Sequence, residues 1–179
     1  MADQKQFNGT VNFNGAANLK GETTITGKLV SPYASVTTTH ALTADMSGET
    51  IFWTKAGGFH ITLPAPAAGL YYKVVIVAGT DNSHKIKVAT EGTHYFFGNV
   101  SVISNTDDKT AQQNVTKATA AGAIDDHDGL EFKSNTATLG GQAGDVIEIW
   151  GIDAASWLVS ANLSTNAANP GSIATICAA

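Results

Sequence analysis

Between Phe7 and Val30 the chain repeats itself every six residues without a gap: F-N-G-T-V-N, F-N-G-A-A-N, L-K-G-E-T-T and I-T-G-K-L-V. Gly9, Gly15, Gly21 and Gly27 hold one phase of the repeat, and Phe7, Phe13, Leu19 and Ile25 hold another. Odd-numbered residues in this stretch are apolar, small or glycine, while even-numbered ones are mainly Asn, Thr, Lys and Glu. Alternation with a period of two belongs to a strand with one covered face. Glycine at every sixth residue would weaken a helix. The pattern predicts a triangular β-prism, each hexad forming one flat side, with glycine letting the backbone turn or approach closely at the corners. Four hexads make little more than one turn of such a prism. One chain therefore cannot cover its own inward face, because stacked repeats need several units before their core is continuous. Three chains together supply about four turns. The expectation is a stem shared by a homotrimer, with Phe7, Gly9, Val11, Phe13, Gly15, Leu19, Gly21, Ile25, Gly27 and Leu29 as its trimerisation residues. The other reading of the same residues is a polar, glycine-containing arm that is disordered or lies along a neighbour.

Ser31-Pro32 interrupts the repeat and marks a boundary. The expected organisation is an N-terminal arm and stem over 1–30, a β-sandwich domain over 33–163 and a small polar tail over 164–179. Within the domain, Glu49 to Thr54 reads as a strand, Ala56-Gly57-Gly58 as a hairpin turn, and Phe59 to Leu63 as the returning strand with His60 and Thr62 on its other face. Leu70 to Ala78 is the most apolar stretch and reads as a central strand. His84 to Ala89 alternates, with Ile86 and Val88 inward and Lys85 and Lys87 outward. Tyr95 to Ser104 is a further strand with a bulge expected at Gly98. Thr106 to Asp128 reads as a long loop with one edge strand near Asn114 to Thr119, and Leu130 to Lys133 alternates again. A glycine-rich turn over Gly140 to Gly144 leads into a closing hairpin, Asp145 to Ile152 and Ser156 to Leu163. Short strands without a convincing helix predict an all-β fold, a jelly-roll-like β-sandwich following the stem.

Composition narrows the chemistry. Charged residues are 14% of the 179, against about a quarter in ordinary soluble domains. All ten basic residues are lysines, and the net charge is -5. The lack of arginine, the usual bidentate partner of phosphate and bases, argues against nucleic acid as a partner, and the negative charge argues against an anionic membrane surface. The one cysteine, Cys177, allows no disulfide within the chain. Met1 to Gln6 carries no apolar signal region, and no run reaches transmembrane length.

No catalytic residue, metal ligand or cofactor is assigned from the sequence. Asp125, Asp126, His127 and Asp128 are the densest group of oxygen and nitrogen donors, but their spacing is not that of a calcium loop, and a solvated turn explains them better. Asp107-Asp108 is a weaker case of the same kind. His40, His60, His84, His94 and His127 lack the spacing of a helical zinc motif. Serine-hydrolase, P-loop and dinucleotide signatures are absent, so no enzyme is expected. Trp53, Trp150, Trp157, Tyr71 and Tyr72 are candidates for a sugar platform, with core packing the preferred reading; Trp157 reads as core and Trp150 as ambiguous.

Ala41 to Ile76, with its strand, glycine turn and T-L-P-A-P-A-A-G-L-Y-Y segment, resembles a stretch found in tailed-bacteriophage structural proteins. Gly144 to Ala161 (G-D-V-I-E-I-W-G-I-D-A-A-S-W-L-V-S-A) resembles the closing hairpin of the same group. The hexads resemble the F-N-G repeats of trimeric phage fibre and decoration proteins. The resemblance implies a virion surface protein. Only Met1 to Gln6 precede the repeat, which favours a compact trimeric capsid decoration (cement) protein seated on the major capsid protein over the alternative, a tail-fibre, spike or knob protein for a host glycan.

Overall fold

The computed structural model describes residues 33–56, 58–79, 84–90, 93–105, 110–115, 129–132, 140–165 and 176–177. The chain divides into two units, Met1–Val30 and Ser31–Ala179, and every described residue belongs to the second. The ten expected trimerisation residues, Phe7 to Leu29, lie outside the described residues, as do Asp107, Asp108 and the group from Asp125 to Asp128.

The described unit is all-β. Its strands are β1 (Tyr33–Val36), β2 (His40–Ala41), β3 (Thr50–Trp53), β4 (His60–Thr62), β5 (Tyr71–Ile76) and β6 (His84–Lys87). They continue with β7 (Tyr95–Ser104), β8 (Thr110–Val115), β9 (Gly129–Phe132), β10 (Val146–Gly151), β11 (Ser156–Thr165) and β12 (Ile176–Cys177). A single 3-10 turn covers Ala44–Met46. Seven strands form one sheet in the order β1-β3-β5-β10-β11-β7-β8, and five form the other in the order β12-β9-β6-β4-β2.

From β1 to β6 the chain alternates strictly between the two sheets. Each strand therefore returns beside its predecessor only after a full circuit of the core, and it returns parallel, as in β1-β3-β5 and β2-β4-β6. Crossovers of this kind are what parallel neighbours require. The circuits stack like on like: Ala34, Ile51 and Val74 are successive register partners, and so are Ile61 and Ile86. The second half of the chain closes the stack, with β9 antiparallel to β6 and β10 antiparallel to β5.

This topology corrects two expectations. Among the described residues five of the ten strand pairs are parallel, whereas the strands of a jelly roll are antiparallel. The Ala56-Gly57-Gly58 segment closes no hairpin, because β3 and β4 belong to different sheets. Trp53 and Phe59 on either side of it are both buried, with ring centroids 5.0 Å apart. The chain turns there around the core, which local turn chemistry alone cannot distinguish from a strand reversal. A third expectation, the bulge at Gly98, is also corrected: β7 pairs with β11 in unbroken register from Tyr95 to Ser104.

Other elements match their expectations in whole or in part. The β10–β11 hairpin forms as expected, and β11 runs on to Thr165. An edge strand does follow β7, but it starts at Thr110. The expected tail contributes the short strand β12, which pairs with β9.

One apolar core lies between the sheets. It takes Ile51, Trp53, Tyr72, Val74, Ile76, Ile147, Ile149, Trp157 and Val159 from the seven-stranded sheet and Ile61 and Ile86 from the other. Full burial of each large side chain contributes about 1.5–3 kcal/mol. Strict alternation on β3, β5 and β10 puts every second residue into this core and its neighbour on the outer face.

Candidate interaction face

The same alternation builds a second surface, on the outside of the seven-stranded sheet. Tyr71 on β5, Trp150 on β10, Leu158 on β11 and Phe97 on β7 are successive register partners, forming one apolar row across four strands. All four are partly buried. The Tyr71 and Trp150 rings have centroids 5.5 Å apart, tilted by 35°. Two residues along each strand runs a polar row, Thr50, Lys73, Glu148, Ser160 and Asn99. Beyond it, Phe52, Val75 and Val146 are again apolar and end on Asn162 and Ser101, whose hydroxyl donates to Asn162 Oδ1 at 2.6 Å. At the β1 edge, Tyr33 packs edge-on against Phe52 with centroids 5.8 Å apart.

Four large apolar side chains of the described unit are strongly exposed: Tyr33 at 67%, Val77 at 49%, Ile103 at 45% and Ile152 at 45%. Tyr33 and Ile103 lie on the outward phase of β1 and β7, and Val77 and Ile152 extend the outward phase of β5 and β10 by one residue. Isolated exposed apolar residues are ordinary, but these four continue the outward apolar rows of one sheet, which makes that face the candidate interaction surface. The outer face of the five-stranded sheet has the opposite character. His60, Thr62, Lys85 and Lys87 occupy it, His60 opposite Lys85 and Thr62 opposite Lys87. Burial, then the charges of Lys87 and Lys85, hold the His60 imidazole below its usual range, so it is neutral at neutral pH and the cationic charge of this face is that of the two lysines.

The Tyr71 hydroxyl donates to Glu148 Oε1 at 2.7 Å. Burial, the hydrogen bond to Glu148 and the negative charge of Glu148 push the phenol up to about 12. This gives a direct check on the geometry. In an ultraviolet titration of tyrosine ionisation, the difference between the wild type and Tyr71→Phe is expected to ionise near pH 12, and Glu148→Gln should move that ionisation down. The same shift predicts that Tyr71 contributes stability below the unfolded pKa near 10 that is lost as pH rises through the folded value near 12.

The five aromatic residues singled out in the sequence are thus divided. Trp53, Trp157 and Tyr72 are fully buried, with the Tyr72 and Trp157 rings 5.9 Å apart, while Tyr71 and Trp150 meet on the outer face. Their meeting was not legible because Tyr71 and Trp150 belong to strands far apart in sequence that pair only in the folded sheet. His40 lies on β2, His60 on β4 and His94 just before β7. Among the described residues no three His, Cys, Asp or Glu side chains gather as a metal site.

One charged group is buried for a structural purpose. Asp145 is 6% exposed, and its Oδ2 accepts from the backbone N–H groups of Gly141, Gln142 and Ser164, each at 2.9 Å. Its Oδ1 accepts from the Ser164 hydroxyl at 2.7 Å. The carboxylate ties the turn before β10 to the end of β11, which gives the Gly144-Asp145 pair a physical role.

The chain matches no protein-family model, no curated protein and no solved structure.

Proposed function

We propose that the protein is a structural component of a bacteriophage virion: a homotrimeric capsid decoration (cement) protein on the virion surface that binds the outer surface of the major capsid protein lattice and stabilises it. The observation that carries this reading is the outer face of the seven-stranded sheet, with its apolar rows and strongly exposed large apolar residues. A surface of that kind suits burial against protein. The hexads add the oligomeric part of the proposal, a β-prism stem of three chains, because four hexads leave one chain with an uncovered apolar phase. The function is mechanical rather than catalytic. A trimer offers three copies of each contact, and linked contacts resist separation far better than any one of them.

The experiment is reconstitution. Purified protein added to capsids stripped of it is expected to bind at fixed lattice positions and raise the temperature at which the shell comes apart. Failure to bind, or binding without any gain in shell stability, overturns the proposal. A second reading, a tail-fibre, spike or knob protein that binds a host glycan, draws on the Tyr71–Trp150 pair beside the anchored Glu148 carboxylate, since aromatic faces and fixed acceptors suit a sugar ring. Blocking of phage adsorption by antibodies against the protein is the outcome that selects it.

A further inference from the structure

We propose that His94 is an acid-sensitive latch on the start of β7: the strand end stays docked while the imidazole is neutral, and uptake of a proton draws the ring into water and parts His94 and Tyr95 from their backbone partners. Those partners are the carbonyl of Thr90, which accepts from the His94 N–H at 3.1 Å, and the carbonyl of Ala155, which accepts from the Tyr95 N–H at 2.9 Å. The latch belongs to the domain itself and does not depend on its assembly or on what its outer faces bind.

The position of the ring carries the proposal. β6 belongs to the five-stranded sheet and β7 to the seven-stranded one, so the chain crosses between sheets just before His94. His94 continues the inward phase of β7, two residues before Phe96, which is fully buried with its register partner Trp157. On the β6 side of the crossing Val88 is buried as well. His94 is itself 8% exposed, and its Nδ1 is buried with no hydrogen-bond partner. A charged imidazole has a proton on both ring nitrogens, and a donor at that Nδ1 would be buried without an acceptor. The ring therefore takes up a proton by leaving its place. Charged neighbours do not relieve this. Lys85 and Lys87 lie on the outer face of β6, Asp153 before β11 is exposed with its Oδ1 accepting from the Ala155 N–H, and Glu91 lies outside the described residues. Burial alone holds the imidazole below its usual 6.5. The closed state thus binds fewer protons than the open one, and the stability it has at neutral pH is lost as pH falls through 6.5 toward the lowered value. The opening is local, because β7 is held along ten residues by β11 and from Gly98 to Ile103 by β8 as well, while its first residues have few bonds to lose.

Amide hydrogen exchange of the full chain tests this, with exchange times scaled for the intrinsic dependence of the rate on pH. Between about pH 8 and about pH 5, the range in which histidine changes charge, exchange at His94 and Tyr95 is expected to speed up severalfold while β10 keeps its protection. Overall stability is the poorer readout, because Asp145, raised by burial, changes it with the opposite sign. His94→Phe and His94→Gln have no proton to gain there and should abolish the acid step. His60→Gln should retain it, although the His60 imidazole is lowered too. A second readout needs no variant: by nuclear magnetic resonance the wild-type His94 ring should titrate below its usual range, in step with the loss of protection at the two amides. Equal exchange at both pH values overturns the proposal, and so does an acid step that survives in the His94 variants. If those variants do not fold, the ring titration decides, and a ring that takes up its proton while the His94 and Tyr95 amides stay protected overturns the proposal.

Discussion

Gly98→Ala is expected to cost about 4 kcal/mol or more, a large share of the roughly 5–15 kcal/mol by which an ordinary domain is stable. Gly98 has φ of 137°, a backbone region closed to side chains, and a β-carbon built there would stand 2.0 Å from the carbonyl oxygen of Val159. The obstacle is backbone in the middle of the β7–β11 pair, so no side-chain rotation relieves it, and β7 must part from β11 or bend away. Gly48→Ala is the matched control. It also has a positive φ, 90°, but nothing lies within 4 Å of the added carbon. Only the conformational term remains, about 1 kcal/mol. Urea denaturation of both variants measures the difference. Equal, mild losses would mean that β7 and β11 do not approach as closely as described.

Asp145→Ala is expected to lose about 3 kcal/mol or more, and Asp145→Asn much less at neutral pH. Alanine strips the acceptor from three backbone N–H groups and the Ser164 hydroxyl, in a region where water replaces it poorly. Asparagine can keep its oxygen toward the three N–H groups, while the Ser164 hydroxyl turns to accept from the amide. Burial pushes the Asp145 carboxyl up, outweighing the hydrogen bonds from Ser164, Gly141 and Gln142 that pull it down. Because the folded value is raised, the folded state binds more protons than the unfolded one between the two values. Stability from this group is therefore greatest at acid pH and falls as pH rises through the folded value. Asparagine does not titrate, so the advantage of wild type over Asp145→Asn should shrink as pH rises from acid to neutral. An advantage that grows over that range would mean the hydrogen bonds, not burial, set the ionisation.

The strands were legible in the sequence wherever one face is wet and the other dry. β3, β5, β10 and β11 alternate, and their inward residues are the ones found in the core. The sheet assignment was not legible. A strand, a short glycine turn and a second strand look the same whether the chain doubles back beside itself or crosses to the opposite sheet. The difference lies in Trp53 and Phe59 meeting inside the corner, a contact that depends on both sheets being present. The outer face was half legible. Trp150 could be seen to share a face with Val146 and Glu148, but Tyr71 lay hidden in L-Y-Y-K-V-V-I-V-A, where the outward Val75 is as apolar as the inward Val74 and Ile76 and blurs the alternation. Only the pairing of β5 with β10 brings Tyr71 to Trp150 and Glu148.

The most direct test of the central claim is the mass of the full chain in solution by multi-angle light scattering. The chain is 18.5 kDa, and a single species of three times that mass is the predicted result. A single species at the mass of one chain, unchanged up to the highest concentration that stays soluble, would contradict it.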